Sequence, residues 1–272
     1  MNKTKKIIFN TIFLVVVFGL TIYGVFHGED LGAVMDAIQS ADKIWLLPGV
    51  ALVAFFIWGE SIIIWYMMRS YGIHLRKRVC FLFSSVGFFF SCITPSASGG
   101  QPMQIYYMRK NKISIPVATV VLMIVTITYK AVLVAIGIWL VIFDRGFISD
   151  RLEGIHFVFY LGIFLNVFCV AGMMMLVFNQ KLAKKIVVLT VKFLEKIHIM
   201  KHKEGRMERF DESMDTYART AAYLKNHIPV MIKVFIITVL QRFAYFFVTF
   251  YIYKSFGLSG TGVYTIVMLQ AV

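Results

Sequence analysis

Residues Ile115–Phe143 read IPVATVVLMIVTITYKAVLVAIGIWLVIF, an apolar run in which Lys130 is the single charged residue. Crossing ~30 Å of hydrocarbon takes about 20 such residues at ~1.5 Å per residue. Because lipid offers the backbone no water, a spanning segment must be an α-helix or part of a closed β-barrel. Barrel strands are short and alternate apolar with polar residues, whereas this run is continuous. The run therefore predicts a transmembrane helix.

Further apolar runs of this kind occur along the chain, at Ile7–Phe26, Ile44–Met68, Ile155–Phe178 and Val230–Tyr253. Charged residues make up 15% of the 272 residues, whereas a soluble domain has about 25%. The first run is longer than the apolar core of a signal peptide and lacks a small-residue cleavage site, so we interpret it as a retained anchor. We predict an all-α fold, a polytopic integral membrane helical bundle, with residues 1–272 forming a single transmembrane domain.

A different kind of segment, Cys80–Met108, lies between the second and third of these spans. Its first part, Cys80–Ile93, is too short to cross the bilayer comfortably. The polar sequence TPSASGGQP follows at 94–102, and no continuous helix accommodates its prolines and glycines. The segment therefore predicts two short helices joined by a polar tip.

The Lys and Arg residues indicate whether this segment crosses, because cytoplasmic loops carry the excess of these residues. The basic N-terminus predicts a cytoplasmic start. If Cys80–Met108 crossed, the basic segment Arg109–Lys112 and the basic loop 179–229 would both lie outside. If it enters and returns, both lie inside, and the acidic-leaning loop Asp144–Glu153 lies outside. We therefore predict a re-entrant helical hairpin over residues 80–108 and a cytoplasmic loop over 179–229.

The loop 179–229 begins with apolar residues at helical spacing, from Leu182 to Ile197, with lysines mostly between them. This pattern indicates a helix on the anionic inner leaflet or a connector helix packed on the spans. The remainder, Lys201–Asn226, mixes both charge signs and predicts a solvated helical connector. The last apolar run stops at Val272 without a polar flank, so we expect a truncated membrane domain that continues beyond this residue.

The formal net charge of +14 has a membrane explanation. The basic residues lie in loops between spans, which favours topology and contact with anionic lipid over nucleic-acid binding. Cys80, Cys92 and Cys169 lack paired or metal-ligand spacing. The chain contains no GxxxxGK[ST], GxSxG, HExxH or CxxC motif. We therefore expect no catalytic residue, no metal, no cofactor and no direct nucleic-acid partner.

The polar tip of the predicted hairpin is the first candidate site. Non-helical backbone at membrane depth is tolerated where it is buried in protein or lines a watery cavity, and broken helices commonly form substrate sites. Hydroxyl, amide and free N–H groups suit a polar headgroup and its phosphate. The alternative is a purely structural loop. The candidate headgroup-binding residues are Thr94, Ser96, Ser98, Gly99, Gly100, Gln101, Gln104 and Tyr107.

Charged residues within the spans form the second candidate site. Glu60, Lys130 and Arg242 lie in apolar runs, where each charge costs about 2.5–3.5 kcal/mol at the centre of a span. A buried ion pair of Glu60 with either cation would offset part of this cost. The other interpretation is a cationic cavity lining, in which Lys130 and Arg242 attract a lipid phosphate. The sequence leaves both interpretations open.

The hairpin segment TPSASGGQPMQIYYMRKNKIS, residues 94–114, resembles the signature of the lysylphosphatidylglycerol synthase transmembrane family, in its Gram-positive form. Many members carry Gly-Glu and an Arg three residues later, where this chain has Gly100-Gln101 and Gln104. The role that carries over is therefore hydrogen bonding by the two glutamines. The resemblance implies a flippase-like domain of the bacterial cell membrane. The best-understood members make and translocate aminoacylated phosphatidylglycerol, which protects against cationic antimicrobial peptides, and lysine transfer in them belongs to a separate soluble domain.

The resemblance and the polar tip together favour a membrane lipid translocase. Its substrate would be an anionic or aminoacylated phospholipid, such as lysyl-phosphatidylglycerol, with membrane phospholipids as partners. The alternative is the membrane part of a phosphatidylglycerol lysyltransferase whose catalytic domain lies outside these residues. A transporter for a small polar solute or a polyprenyl-linked sugar is also open, as is assembly into a homo-oligomer.

Overall fold

A computed structural model of the protein describes residues 31–94, 97–196 and 206–272, together with Val16, Gly19 and Tyr23. The rest of the predicted first span, Ile7–Phe26, lies outside the described residues, as does the candidate residue Ser96. The described chain is helical and contains no strand, which confirms the all-α prediction. In chain order the helices are α1 (Leu31–Ser40), α2 (Lys43–Ser70), α3 (Lys77–Ile93), α4 (Gly100–Lys110), α5 (Ile115–Phe143), α6 (Arg145–Arg151), α7 (His156–Phe178), α8 (Gln180–Lys196), α9 (Arg206–Asn226), α10 (Ile228–Ser255) and α11 (Val263–Ala271).

Four helices of the described part, α2, α5, α7 and α10, are long and apolar enough to cross a membrane. They coincide with four of the predicted spans, so the prediction of a polytopic helical membrane bundle is confirmed. Their ends follow ordinary capping rules. The Asp42 carboxylate accepts a hydrogen bond from the backbone N–H of Ile44 at 2.8 Å and caps α2. Pro116 and Pro229 occupy the first turns of α5 and α10, where the missing N–H costs nothing.

Helices α2 and α10 pack along each other and form one wall of the bundle. A Cβ added at Gly59 would lie 3.1 Å from Cγ of Gln241, so the glycine allows the two helices to approach closely. The Gln241 side chain is 2% exposed, and its Nε2 donates to the backbone carbonyl of Phe56 at 2.8 Å. Helix α5 packs on this wall and completes the frame around the hairpin.

Helices α3 and α4 form an antiparallel hairpin. A Cβ at Gly100 would lie 2.8 Å from the carbonyl oxygen of Gly87 and would overlap the Ser91 hydroxyl, while a Cβ at Gly87 would lie 2.8 Å from Cγ of Gln104. Residues later in α3 thus contact residues earlier in α4, as expected of an antiparallel pair. The turn between them is held by Thr94, whose Oγ1 donates to the Phe90 carbonyl at 2.6 Å and accepts from the Gly99 N–H at 2.9 Å.

Both hairpin helices are short. With 17 and 11 residues, they extend about 25 Å and 16 Å at ~1.5 Å per residue, and neither is among the four helices long enough to span. The chain therefore reverses direction within a hairpin that suits the predicted dip into the membrane, and the re-entrance itself stays a prediction.

Helix α9 differs from the solvated connector that its mixed charges predict. Ala221 and Leu224 are 2% and 0% exposed and belong to the same core as α2 and α5. The Tyr217 hydroxyl donates to the Leu176 carbonyl at 3.0 Å, and the Tyr223 hydroxyl donates to the Ser70 carbonyl at 2.5 Å. Tyr217, Ala221 and Leu224 are spaced by four and three residues, which places them on one helix face, and Tyr223 lies beside this face. The charges occupy the other face, so composition alone concealed an amphipathic helix.

Cysteine labelling tests the predicted re-entrance. In a background with Cys80, Cys92 and Cys169 replaced by alanine, a membrane-impermeant maleimide is applied to His74→Cys and Lys112→Cys, which flank the hairpin. We expect both to be labelled only after permeabilisation, because a hairpin that returns leaves both residues inside. Labelling of the two positions from opposite sides of the membrane would show that residues 80–108 cross the bilayer.

The close approach of α3 and α4 predicts that Gly100→Ala is destabilising. The new methyl group would meet the Gly87 carbonyl, which is backbone and cannot rotate away, and overpacking of this kind costs about 1–3 kcal/mol. We expect a lower melting temperature in detergent. Gly172→Ala in α7 is the matched control, because nothing lies within 4 Å of its added Cβ. Equal melting temperatures for the two variants would contradict the tight α3–α4 contact.

Candidate functional site

A cavity of about 530 Å³ lies where the hairpin tip meets α2, α5 and α10. We call it the central cavity. Each of these elements contributes polar or aromatic side chains to it. The lining residues are Phe56, Glu60, Gly87, Phe88, Ser91, Ala97, Ser98, Gly100, Gln101, Gln104, Leu122, Val125, Thr126, Tyr129, Arg242 and Tyr245. The structure thus brings both candidate sites, the polar tip and two of the intramembrane charges, to one cavity.

Gln104 of α4 extends into the protein interior and is 4% exposed. Its Nε2 donates to Oε1 of Glu60 at 2.6 Å. The absence of a side chain at Gly87 makes room for it, because a Cβ there would overlap the Gln104 amide. A hydrogen bond to a charged group is worth about 1.5–3 kcal/mol, so this contact fixes α4 against α2.

The other glutamine of α4, Gln101, connects the hairpin to α5. Its Nε2 donates to Oγ1 of Thr126 at 2.5 Å, and this hydroxyl in turn donates to the Leu122 carbonyl at 2.9 Å. Gln101 is exposed and lines the cavity. Its side-chain amide oxygen can therefore accept a hydrogen bond at the cavity wall. Ser98 and Gly100, three residues and one residue before Gln101, also line the cavity.

Arg242 enters the central cavity from α10 between two aromatic rings. Its guanidinium carbon lies 4.3 Å from the ring centroid of Tyr129 and 5.0 Å from that of Phe56, distances typical of cation–π contacts. Its buried Nε has no hydrogen-bond partner. Among the described residues the one ion pair within 4.0 Å is Lys184–Asp211 on the polar helices, so the Glu60–Arg242 pair that the sequence left open is not formed.

Lys130 lies away from this cavity. Its Nζ donates to Oδ1 of Asn166 on α7 at 2.9 Å and lies 5.6 Å from the ring centroid of its neighbour Tyr129. One residue advances a helix by about 100°, so Tyr129 faces the cavity and Lys130 faces α7. Neither the Glu60–Lys130 pair nor a shared lining with Arg242 is present in the structure, and a role of Lys130 in binding phosphate stays a prediction.

Three other predicted residues occupy structural positions. Thr94 and Gly99 bond to each other within the hairpin turn, and neither lines the cavity. Tyr107 is half-buried at the far end of α4, where Nζ of Lys110 lies 5.5 Å from its ring centroid. A role of these residues in headgroup binding stays a prediction, as does that of Ser96.

The aromatic walls of the cavity, Phe56, Tyr129 and Tyr245, were not predicted. Phe56 precedes Glu60 by four residues, and Tyr245 follows Arg242 by three, so each shares a helix face with an intramembrane charge. That spacing could have indicated which aromatic residues lie beside the charges. The sequence could not have indicated which helices pack together, because it does not state which spans face each other. Among the described residues, no group of three or more His, Cys, Asp or Glu could hold a metal ion.

Residues 7–272 match the profile described as lysylphosphatidylglycerol synthase TM region. The chain belongs to this family. Neither a curated protein nor a solved structure matches it. Family membership indicates a function connected with membrane lipids, and together with the four apolar helices it indicates a multi-pass membrane protein. The central cavity therefore lies in a protein whose family has a function connected with membrane lipids.

The Gln104–Glu60 contact predicts a stability difference between the two glutamines. We expect Gln104→Leu to lower the stability by about 1.5–3 kcal/mol, because it leaves a buried carboxylate without its donor. Gln101→Leu serves as the control and should cost less, because the Thr126 hydroxyl keeps its bond to Leu122. Thermal unfolding in detergent measures both. If Gln104→Leu costs as much in a Glu60→Gln background as in the native one, the pair does not couple.

Proposed function

We propose that this chain is a membrane lipid translocase that moves an anionic or aminoacylated phospholipid, such as lysyl-phosphatidylglycerol, between the leaflets of the bacterial cell membrane. Arg242 is the observation that carries the proposal. A cation in a membrane-embedded cavity is expensive unless a counter-charge compensates it. Arg242 makes no ion pair within 4.0 Å among the described residues, and its buried Nε has no acceptor. Glu60 lines the same cavity and offsets part of the charge at longer range. A phosphate matches the guanidinium fork of arginine.

The remaining lining supports a headgroup with more than one polar part. Glu60 shares one carboxylate oxygen with Gln104, so an ammonium group of an aminoacylated headgroup would find an acceptor there. The side-chain amide oxygen of Gln101 would accept a hydrogen bond from a headgroup hydroxyl. The volume of about 530 Å³ falls in the range of about 300–1,000 Å³ typical of small-molecule sites. The cavity therefore suits a headgroup, while the acyl chains stay in the bilayer.

The family description supports a second candidate function, since it names a synthase. In this alternative the chain is the membrane part of a phosphatidylglycerol lysyltransferase and presents the lipid to a catalytic domain. The same cavity would then hold phosphatidylglycerol during aminoacylation. The two candidates differ in whether these residues move lipid without any transfer of lysine.

A translocation assay tests the proposal. Protein reconstituted in liposomes with fluorescent phosphatidylglycerol should move the label to the opposite leaflet in the absence of any aminoacyl-tRNA. We expect Arg242→Met to slow this movement by about 10- to 100-fold, because a hydrogen bond to a charged group is worth about 1.5–3 kcal/mol. An impermeant quencher outside the liposomes abolishes the fluorescence of label that reaches the outer leaflet, so the rate of fluorescence loss measures translocation.

Lys233→Met provides the matched control. Lys233 lies on the same helix and carries the same charge, but its Nζ lies 5.7 Å from the Tyr66 ring centroid, outside the central cavity. We expect it to translocate at the native rate. No movement of any labelled phospholipid by the native protein would refute the translocase and favour the synthase alternative. An equal loss in both variants would argue against a phosphate site at Arg242.

A further inference from the structure

A second cavity, of about 320 Å³, opens between α2 and α3 on the outside of the bundle. We call it the outer groove. Its floor is aromatic and apolar, and its upper rim is basic. Trp58 and Phe81 are 50% and 44% exposed, so the groove is open to the surroundings. The residues that define it are Trp58, Ser61, Trp65, Lys77, Arg78 and Phe81.

The outer groove is separate from the central cavity. Phe56 and Glu60, one turn apart on α2, line the central cavity, whereas Trp58 and Trp65 line the groove. Each residue rotates about 100° around a helix axis, so positions two residues from Glu60 point to the opposite face of α2. The two cavities share no lining residue, and a change in the groove leaves the central cavity intact.

The rim of the groove concentrates positive charge on an aromatic ring. The Lys77 ammonium and the Arg69 guanidinium each lie 5.1 Å from the ring centroid of Trp65. Neither forms an ion pair within the described chain. The sequence between Ser61 and Ser114 contains no acidic residue, so no carboxylate from the α2–α3 connection or from the hairpin neutralises this rim. The charge is therefore free to attract an anion.

Ser61 adds an unused hydrogen-bond donor to the groove wall. It is 3% exposed and lines the groove, yet its hydroxyl makes no hydrogen bond to any described residue. A serine within a helix commonly bonds to the carbonyl four residues earlier, and Ser61 does not. Ser61 lies one turn, about 6 Å, from Trp65 along α2. An acceptor on a ligand would supply its partner.

We propose that the outer groove binds an anionic diacyl phospholipid from the surrounding bilayer. Its phosphate would lie between Lys77 and Arg78, an ester carbonyl would accept from Ser61, and an acyl chain would cover Trp58 and Phe81. Basic side chains beside tryptophan at the end of a transmembrane helix are the usual setting for anionic headgroups. This site goes beyond the proposed translocation and does not depend on it.

Quenching of the groove tryptophans by brominated lipid tests this site. The chain has 4 tryptophans, and replacing Trp45 and Trp139 with phenylalanine leaves Trp58 and Trp65, which both line the groove, as the reporters. The full chain in phosphatidylcholine nanodiscs would be compared at equal mole fractions of acyl-brominated phosphatidylglycerol and acyl-brominated phosphatidylcholine. We expect stronger quenching by the anionic lipid. Lys77→Gln/Arg78→Gln should reduce the relative association of this lipid on the order of fivefold for each charge removed.

The matched control is Arg109→Gln/Lys110→Gln, which removes the same charge outside the groove. We expect it to retain the preference for the anionic lipid. Equal quenching by the two lipids in the native-charge protein would overturn the proposal. An equal loss in both double variants would also overturn it, because it would show a general surface charge effect. The measurement is one of equilibrium binding without transport, so its result is independent of the effect of Arg242→Met.

Discussion

The hydrogen bond between Gln104 and Glu60 holds the hairpin against the rest of the molecule. Helices α3 and α4 are too short to span the bilayer, and the predicted re-entrance would require protein to support their non-helical turn. Gly87 and Gly100 allow the two helices to touch, which leaves the Gln104 amide positioned to reach α2. Gln101 repeats the arrangement on α5. The hairpin is therefore fastened on two sides by amides, and the central cavity is the space that remains between these contacts.

This arrangement also explains why the cation of the cavity makes no direct ion pair with Glu60. Glu60 is held by a neutral amide rather than by a cation, and Lys130 is turned towards Asn166. Arg242 is left with aromatic rings on both sides, which stabilise its charge without consuming its hydrogen-bond donors. A site built in this way is organised before a ligand arrives. The proposed phosphate could bind and leave without breaking an internal salt bridge.

The outer groove also combines basic groups with aromatic rings. There, two cations lie over the ring of Trp65, and Trp58 and Phe81 of the apolar floor are 50% and 44% exposed. In the central cavity a single cation, Arg242, lies between two rings. The two sites lie on opposite faces of α2 and share no lining residue.

The sequence by itself determined the class of the protein, four of its spans and the broken segment between residues 80 and 108. These properties follow from local causes: the length of an apolar run, and prolines and glycines that no helix continues through. Only the tertiary structure decided that Arg242 and Glu60 share a cavity while Lys130 does not, and that α9 packs on the core. The sequence shows that a charged residue lies within a span and is therefore costly to bury. Its partner depends on helix rotation and on which helices are neighbours. A rotation of one residue, about 100°, separates Tyr129 in the central cavity from Lys130 against α7.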